Sequence, residues 1–328
     1  MRFLIAGFGS IGRRHLRNLL ALGELDVLLY RTRQSTLPED EIAGIPVETD
    51  LDAALRRHPD AVIVANPTAL HLPTALSAAR AGCHLLIEKP VSNALEGIDE
   101  LQASLEKNHV QALAGFQFRF HPGLRQAESW LRDGAIGRPL SARAHWGEYL
   151  PNWHPWEDYR RSYSARGDLG GGVVLTLSHP LDYLRWLLGE VDGVMAMTGR
   201  LGDLELTVED TAEIGLHFAS GCLGSLHLDY NQQPPTHRLE IIGTQGTLRW
   251  DNADGAARLY RASAQVWEIC PPPEGFERNT LFLDELRHFR EVIRGAAQSV
   301  CTLADGERAL HLALAIHEAA QSGRTVQL

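Results

Sequence analysis

The chain has 328 residues, 44% hydrophobic and 22% charged, and its 31 Lys and Arg against 41 Asp and Glu leave a formal net charge of −10. That length predicts two domains with a core large enough to need no disulfide or metal, and the composition is globular rather than disordered. The acidic balance argues against nucleic-acid or anionic-lipid partners, the 4 Cys form no CxxC pair and so point to a reducing, cytoplasmic setting, and no apolar run reaches the roughly 20 residues of a membrane span.

The opening MRFLIAGFGSIGRRH reads as a first strand running into a glycine loop, not as a signal peptide. Short β-rich runs recur at Phe3–Ala6, Val27–Tyr30, 61–65, 85–87 and Ala112–Gly115. Helical spacing separates several of them: Leu16, Leu19 and Leu20 up to Gly23, then Leu72, Leu76 and Ala79 up to Gly82, then Leu95, Ile98, Leu101 and Leu105. Strand and helix in alternation, with near-continuous apolar strands, predict a parallel sheet covered on both faces, the α/β class. After about Phe120 the pattern changes. A helix over 124–131 leads to a strand near 140–146, then to GEYLPNWHPWEDYRRSY, which fits neither period. A glycine run at 170–172 enters a helix that the pattern carries through Leu188. Alternation over Thr211–Phe218, a turn at Ser220 and Gly221, and alternation back through Leu228 predict an antiparallel hairpin. Gly243 and Gly246 bracket another turn, and helices over 281–294 and 304–321 close the chain. The second part is therefore expected to be α+β with a large, open, mostly antiparallel sheet.

Gly7, Phe8, Gly9, Ser10, Ile11 and Gly12 fit G-x-G-x-x-G between a strand and a helix. The first glycine allows the tight turn, the second lets the backbone approach a pyrophosphate, and the third lets helix and strand pack closely. The helix N-terminus offers unpaired N–H groups to the phosphates. An NAD site would end the next strand on an acid that holds the ribose 2′-OH. Here the strand ends Tyr30, Arg31, Thr32, Arg33. Two guanidiniums and a hydroxyl suit a 2′-phosphate, so the expected cofactor is NAD(P), with a preference for NADP; an arginine stacked on adenine would select neither.

The fourth strand ends Glu88, Lys89, Pro90. Ligands of open α/β sheets bind beyond the carboxyl ends of the strands, so Lys89 is a candidate active-site cation, the other reading of the motif being an ordinary strand-end salt bridge between Glu88 and some partner. With AGFGSIG, ANPTALH at 65–71, AGCHLLIEKP at 81–90, GFQFRFHP at 115–122 and LGGGVVLTLSHPLDYLRWLLG at 169–189, the sequence resembles the Gfo/Idh/MocA oxidoreductases, which include glucose–fructose oxidoreductase and inositol dehydrogenases. The stretch WHPWEDYRRSY looks most like members of sugar and surface-polysaccharide metabolism. The resemblance implies a Rossmann NAD(P)-binding domain over 1–119 and a substrate-binding and oligomerisation domain over 120–328. The C-terminal helix of such a chain can pack back on the first domain. It also implies that Asn66, Pro67, His71, Glu88, Lys89 and Gln117 lie at the cofactor and that His179 is catalytic, in a homodimer or homotetramer. One departure stands out. Thr176 occupies the place where the family commonly has Asp, ahead of His179. Asp182, three residues beyond His179, is read either as orienting the imidazole or as a structural acid that pairs with Arg185 or caps a neighbouring segment.

Hydride transfer from a carbinol needs a base for the hydroxyl proton and a cation near the developing alkoxide. His179 suits the first task and Lys89 the second, with the reacting carbon expected between them. Trp153 and His154, with Trp156 and Tyr159, form either a core cluster or a wall against which a sugar stacks. Lys89, Gln117, Trp153, His154, Thr176 and His179 are the expected substrate contacts. Of the 15 His, His217 and His227 sit on paired strands, but no nearby Cys or acid completes a zinc-like set in the sequence, and no metal is expected. Two other classes remain open. One is a sugar-modifying enzyme of glycosidase, hydratase or epimerase type that oxidises its substrate only transiently. The other is a non-catalytic nucleotide sensor.

Overall fold

The computed structural model describes residues 1–32, 42 and 44–328; Arg33 lies outside the described residues. The chain divides into two compact units. The first comprises Met1–Gln117, Asp168–Gly170 and Arg278–Leu310, and the second Phe118–Gly167, Gly171–Glu277 and His311–Leu328.

In the first unit, β1 (Phe3–Ala6), α1 (Ser10–Ala21), β2 (Val27–Tyr30), β3 (Val47–Glu48), α2 (Leu51–Leu55), β4 (Ala61–Val64), α3 (His71–Arg80), β5 (His84–Glu88), α4 (Ile98–Asn108) and β6 (Ala112–Gly115) follow in order. The six strands form a parallel sheet ordered β3-β2-β1-β4-β5-β6. The order reverses at β1, which creates a switch point where the loops after β1 and β4 diverge. Burial on both faces explains why β1 and β4 read as unbroken apolar runs. The predicted helix faces shift in detail. Leu20 is exposed and Leu16 with Leu19 face the core, while Ala75, Ala78 and Ala79 are the buried face of α3. Leu95 precedes α4 and is also exposed. Phe3, Ile5, Leu16, Leu19, Leu29, Ile63 and Leu86 pack with Leu286 and Phe289, which arrive from the far end of the sequence.

The second unit opens with α5 (Pro122–Arg132) and β7 (Pro139–Gly147), then runs through short 3-10 turns to α6 (Val173–Thr176) and α7 (His179–Leu188). The single helix expected up to Leu188 is thus two. Pro180 stands in the first turn of α7, where its missing N–H costs nothing, but its ring would clash with the carbonyl of Thr176 in a continuous helix. The strands β8 (Val191–Gly199), β9 (Thr211–Phe218), β10 (Leu223–Asp229), β11 (Thr236–Gly243), β12 (Gly246–Asp251), β13 (Ala257–Arg261) and β14 (Val266–Cys270) follow. The chain closes with α8 (Arg278–Ile293), α9 (Leu303–Ser322) and β15 (Val326–Gln327). Nine strands form one sheet ordered β14-β13-β12-β11-β7-β10-β9-β8-β15, in which β7 and β10 pair in parallel and the other neighbours are antiparallel. Along β9, β10 and β11 one face buries Ile214, Leu216, Leu226, Leu228, Leu239 and Ile241. The opposite face carries Glu213, His227 and Arg238.

Candidate active site

Three glycines at the end of β1 do different jobs. A Cβ on Gly7 would come within 2.5 Å of the Asn66 backbone nitrogen, and one on Gly12 within 2.2 Å of the Gly7 carbonyl, so both positions are closed by backbone. Gly9 faces open space, with nothing within 4 Å of where a Cβ would sit. Gly9 is also the residue preceding α1, whose first turn carries no acidic side chain. Open room in front of exposed N–H groups at a positive helix end fits a pyrophosphate. Beside the loop, Phe8 lies beneath two guanidiniums, Arg13 at 4.6 Å and Arg31 at 5.8 Å from its ring centre. Both arginines are buried. Arg31 carries the expectation of a 2′-phosphate contact; Arg13, one turn into α1, was not anticipated, since nothing in helical spacing tells which face Phe8 will take. Thr32 is exposed.

The ends of β4, β5 and β6 hold the next group. His71 Nδ1 meets the Pro90 carbonyl at 2.8 Å and its Nε2 meets the Asn66 carbonyl at 2.7 Å. Both partners are acceptors, and burial lowers the His71 pKa, so a neutral ring donates to one of them at a time. The imidazole therefore braces the loop after β4, with Asn66 and Pro67, against the turn that carries Lys89. The Asn66 amide donates to Thr74 Oγ1 at 2.9 Å. Its Oδ1 and the Oε1 of Gln117 are buried and have no hydrogen-bond partner among the described residues. Two orphaned acceptors at strand ends, together with the glycine loop, fit a bound dinucleotide with its amide and hydroxyl donors.

Glu88 turns inward, where Oε1 accepts from His15 Nε2 at 2.7 Å. Burial raises its pKa, but the hydrogen bond and charge of His15, with Lys89 and His71 behind it, outweigh that and hold the carboxyl below its usual range. Glu285 lies fully buried in the same unit, and neither carboxyl oxygen has a hydrogen-bond partner among the described residues. Burial first, and the Glu88 charge second, push its carboxyl well above the carboxylate range. His15 and Glu285 carry no motif, and their meeting with Glu88 spans sequence separations that no local pattern encodes.

In the second unit, His179 begins α7 and is 2% exposed. Its ring lies edge-on to Phe118 at 4.8 Å and stacks on Trp146 at 5.6 Å. Trp146 stacks in turn on His237 at 4.3 Å. Beside them, His121 caps α5 by accepting from the Gly123 N–H at 3.1 Å, and burial lowers its pKa to about 4. Asp182 takes both arms of the Arg119 guanidinium at 2.8 and 2.7 Å. Arg185, the partner suggested for it, grips Glu190 at 2.8 Å through each of two nitrogens. Thr176, 1% exposed, lies beside the buried Tyr230 side chain, whose hydroxyl donates to the Ser164 carbonyl at 3.4 Å, and Trp153 meets the same Tyr230 edge-on at 5.5 Å. His154 pairs with Trp156 at 5.5 Å, and Trp156 is exposed. Tyr159 is tied to the backbone, its hydroxyl accepting from the Glu205 N–H at 3.1 Å. Thr176 and Trp153 are thus brought together through Tyr230, a residue with no motif to mark it.

Residues 1–116 match the oxidoreductase family with an NAD-binding Rossmann fold, and residues 124–249 match the GFO/IDH/MocA C-terminal domain. The chain is similar to myo-inositol 2-dehydrogenase of Thermotoga maritima, 27% identical over 100% of this chain and 98% of that protein. It is 30% identical to the 2,7-anhydro-N-acetylneuraminate hydratase of Mediterraneibacter gnavus over 65% of this chain and 57% of that one. The WlbA dehydrogenase of Bordetella pertussis, solved with NADH and UDP-GlcNAcA, shares the fold with a TM-score of 0.83 at 23% identity, over 100% of this chain and 98% of that one.

Proposed function

The chain belongs to the Gfo/Idh/MocA oxidoreductase family, and on that premise we propose that it moves a hydride between NAD(P) and a hydroxyl or keto carbon of a sugar, sugar derivative or cyclitol. The open approach to Gly9 at the N-terminus of α1 carries the cofactor half of this reading. The myo-inositol and WlbA relatives, with their polyol and nucleotide-sugar names, support the substrate half. Bound NAD(P) supplies the hydride acceptor or donor. Lys89 supplies a cation at the oxygen of the reacting carbon, and His179 takes or returns the hydroxyl proton. The basic residues of the chain are 29 Arg and only two Lys, Lys89 and Lys107. A guanidinium holds its proton at any working pH, whereas an ammonium can share one, which is a reason for lysine at the end of β5 in so arginine-rich a chain. Gln117 and Asn66 orient the nicotinamide end, and Trp153, His154 and Thr176 hold the sugar. Arg31, with Arg13 beside it, favours NADP over NAD; Arg31→Ala should weaken NADPH more than NADH by about 1.5–3 kcal/mol. The active form is a cytoplasmic homodimer or homotetramer.

The test separates binding from turnover. Lys89→Met and His179→Ala should each keep dinucleotide affinity within about threefold and cut turnover by about 10²–10⁴, the range for loss of an acid–base or charge-stabilising group. Lys89→Arg should fail to restore the rate. Unchanged turnover in either of the first two variants would remove that residue from the mechanism. The hydratase among the relatives favours one second reading, transient oxidation with a retained cofactor; there, product would form without net accumulation of reduced nicotinamide.

A further inference from the structure

The polar face of the nine-stranded sheet carries a cluster that the reaction does not use. His145 on β7, His227 on β10 and Glu213 on β9 stand in one row across three neighbouring strands, and Asp229 follows two residues after His227 on the same face. No acid is expected from the sequence to complete a set with His227; Asp229, two residues on along β10, and Glu213, opposite His227 in the sheet register, are two such acids. One donor atom from each of His145, His227 and Asp229 lies within 4.8 Å of the other two. Tetrahedral zinc sites with ligand distances of about 2.0–2.1 Å set their donors about 3.4 Å apart, so a small closure would complete the contact.

The surroundings are arranged around that point. His227 Nε2 faces Asp229 Oδ2 at 2.9 Å, and its Nδ1 faces Glu213 Oε1 at 2.6 Å. A carboxylate on the far nitrogen fixes the tautomer and raises the basicity of the near one, as outer acids do for metal-bound histidines. Asp229 Oδ1 accepts from the Asn231 and Gln232 backbone N–H groups at 2.7 and 2.6 Å, which leaves Oδ2 turned to the histidines. A Cβ at residue 147, opposite Asp229 in register, would fall 2.1 Å from Asp229 Oδ2 and 2.4 Å from Gln232 Oε1. Glycine there leaves the space those oxygens occupy. Gln232 Oε1 in turn meets His145 Nε2 and can serve as a fourth ligand or give way to water.

We propose that His145, His227 and Asp229 form a structural site for a borderline divalent cation of the Zn²⁺ class, with Glu213 as its outer carboxylate. Two imidazoles and one carboxylate suit Zn²⁺ or Co²⁺ rather than the all-oxygen sites of Mg²⁺ and Ca²⁺. The ion would tie β7 to β10, the parallel pair in an otherwise antiparallel sheet and the weaker kind of pairing, and would pin the turn after β10.

The experiment uses the full chain without an affinity tag, stripped with EDTA and dialysed. Titration with Zn²⁺ followed by elemental analysis should give one ion per chain and a raised melting temperature. Co²⁺ should give visible d–d absorption of a low-coordinate site. His145→Ala and Asp229→Asn should each weaken binding at least 100-fold, Glu213→Gln by about 10-fold, and His217→Ala on the same sheet should leave it unchanged. Asp229→Asn keeps the shape and the backbone contacts, and Glu213 is exposed, so those two variants test ligation in a folded protein. No uptake at a tenfold excess of either ion, or uptake that survives both His145→Ala and Asp229→Asn, would overturn the site.

Discussion

A single methyl group separates the roles of the loop glycines. Gly9→Ala meets nothing in the protein, so its melting temperature should stay within about 1 °C of the parent while dinucleotide affinity falls at least 10-fold, as the methyl takes the space of a phosphate. Gly12→Ala must push the Gly7 carbonyl aside and should cost about 1–3 kcal/mol of stability. The two glycines are equal in the motif and unequal in the structure. A second residue-scale expectation concerns Glu285 and Glu88. Glu285 has its carboxyl pushed up by burial and by Glu88, so its contribution to stability is present at low pH and is lost as pH rises from the unfolded carboxylate value through the folded one. Glu88 has the opposite sign: its carboxyl is held down in the fold, so its contribution is present above the unfolded value and is lost as pH falls through the folded one. Glu285→Gln keeps a neutral side chain at every pH and should be stabilising, with a gain in denaturation free energy that grows from pH 5 to pH 8 by up to about 1.4 kcal/mol per pH unit. A gain that stays flat over that range would show that Glu285 is ionised in the fold. Lys89, Glu88 and the glycine loop are legible because each is fixed by local chain geometry at a strand end. His15, Tyr230 and Glu285 are not, because their roles come from pairing across distant segments, and Arg13 is not, because helical spacing does not tell which face Phe8 takes.

Among the elements, α7 shows how far local pattern reaches. Its apolar face and its glycine-rich approach predict a helix, and that helix carries His179 at its first position. The break before it depends on Pro180 against the carbonyl of Thr176, a clash readable from sequence only once the helix start is known. What anchors α7 is the Arg119–Asp182 pair, in which both side chains are at least nine-tenths buried. A buried pair stripped of one member leaves an uncompensated charge. Arg119→Met alone should therefore destabilise by about 3–5 kcal/mol, while Arg119→Met with Asp182→Leu should recover most of that loss. Chemical denaturation of the single and double variants checks it; equal losses in both would mean that the pair holds α7 by its shape alone. The parallel strands were legible because burial on both faces makes them continuous apolar runs. β3, two residues long, and β13 to β15, at the margins of the second sheet, were missed because short or exposed edge strands carry weak alternation.

At the scale of the molecule, the sequence pattern changes near residue 120, and the opening stretch of the first unit runs to Gln117. The return of Arg278–Leu310 to the first unit is less visible, since an amphipathic helix records that it has an apolar face and not which core receives it. Leu286 and Phe289, both fully buried, finish the core beside β1 and β2. The net charge of −10 gives the surface no general attraction for phosphate, so the proposed dinucleotide site rests on local groups: the α1 N-terminus, Arg31 and Arg13. The central claim is that these groups serve net hydride transfer on a polyol or keto sugar. Its most direct measurement mixes the purified protein with NAD⁺ or NADP⁺ and a panel of sugars, sugar acids, cyclitols and nucleotide sugars. The absorbance of reduced nicotinamide is followed alongside product. Reduced nicotinamide should accumulate one for one with a keto product on at least one substrate, and Lys89→Met should bind the dinucleotide yet abolish the signal. Failure of both dinucleotides to bind, or product formed without reduced nicotinamide, would contradict the account.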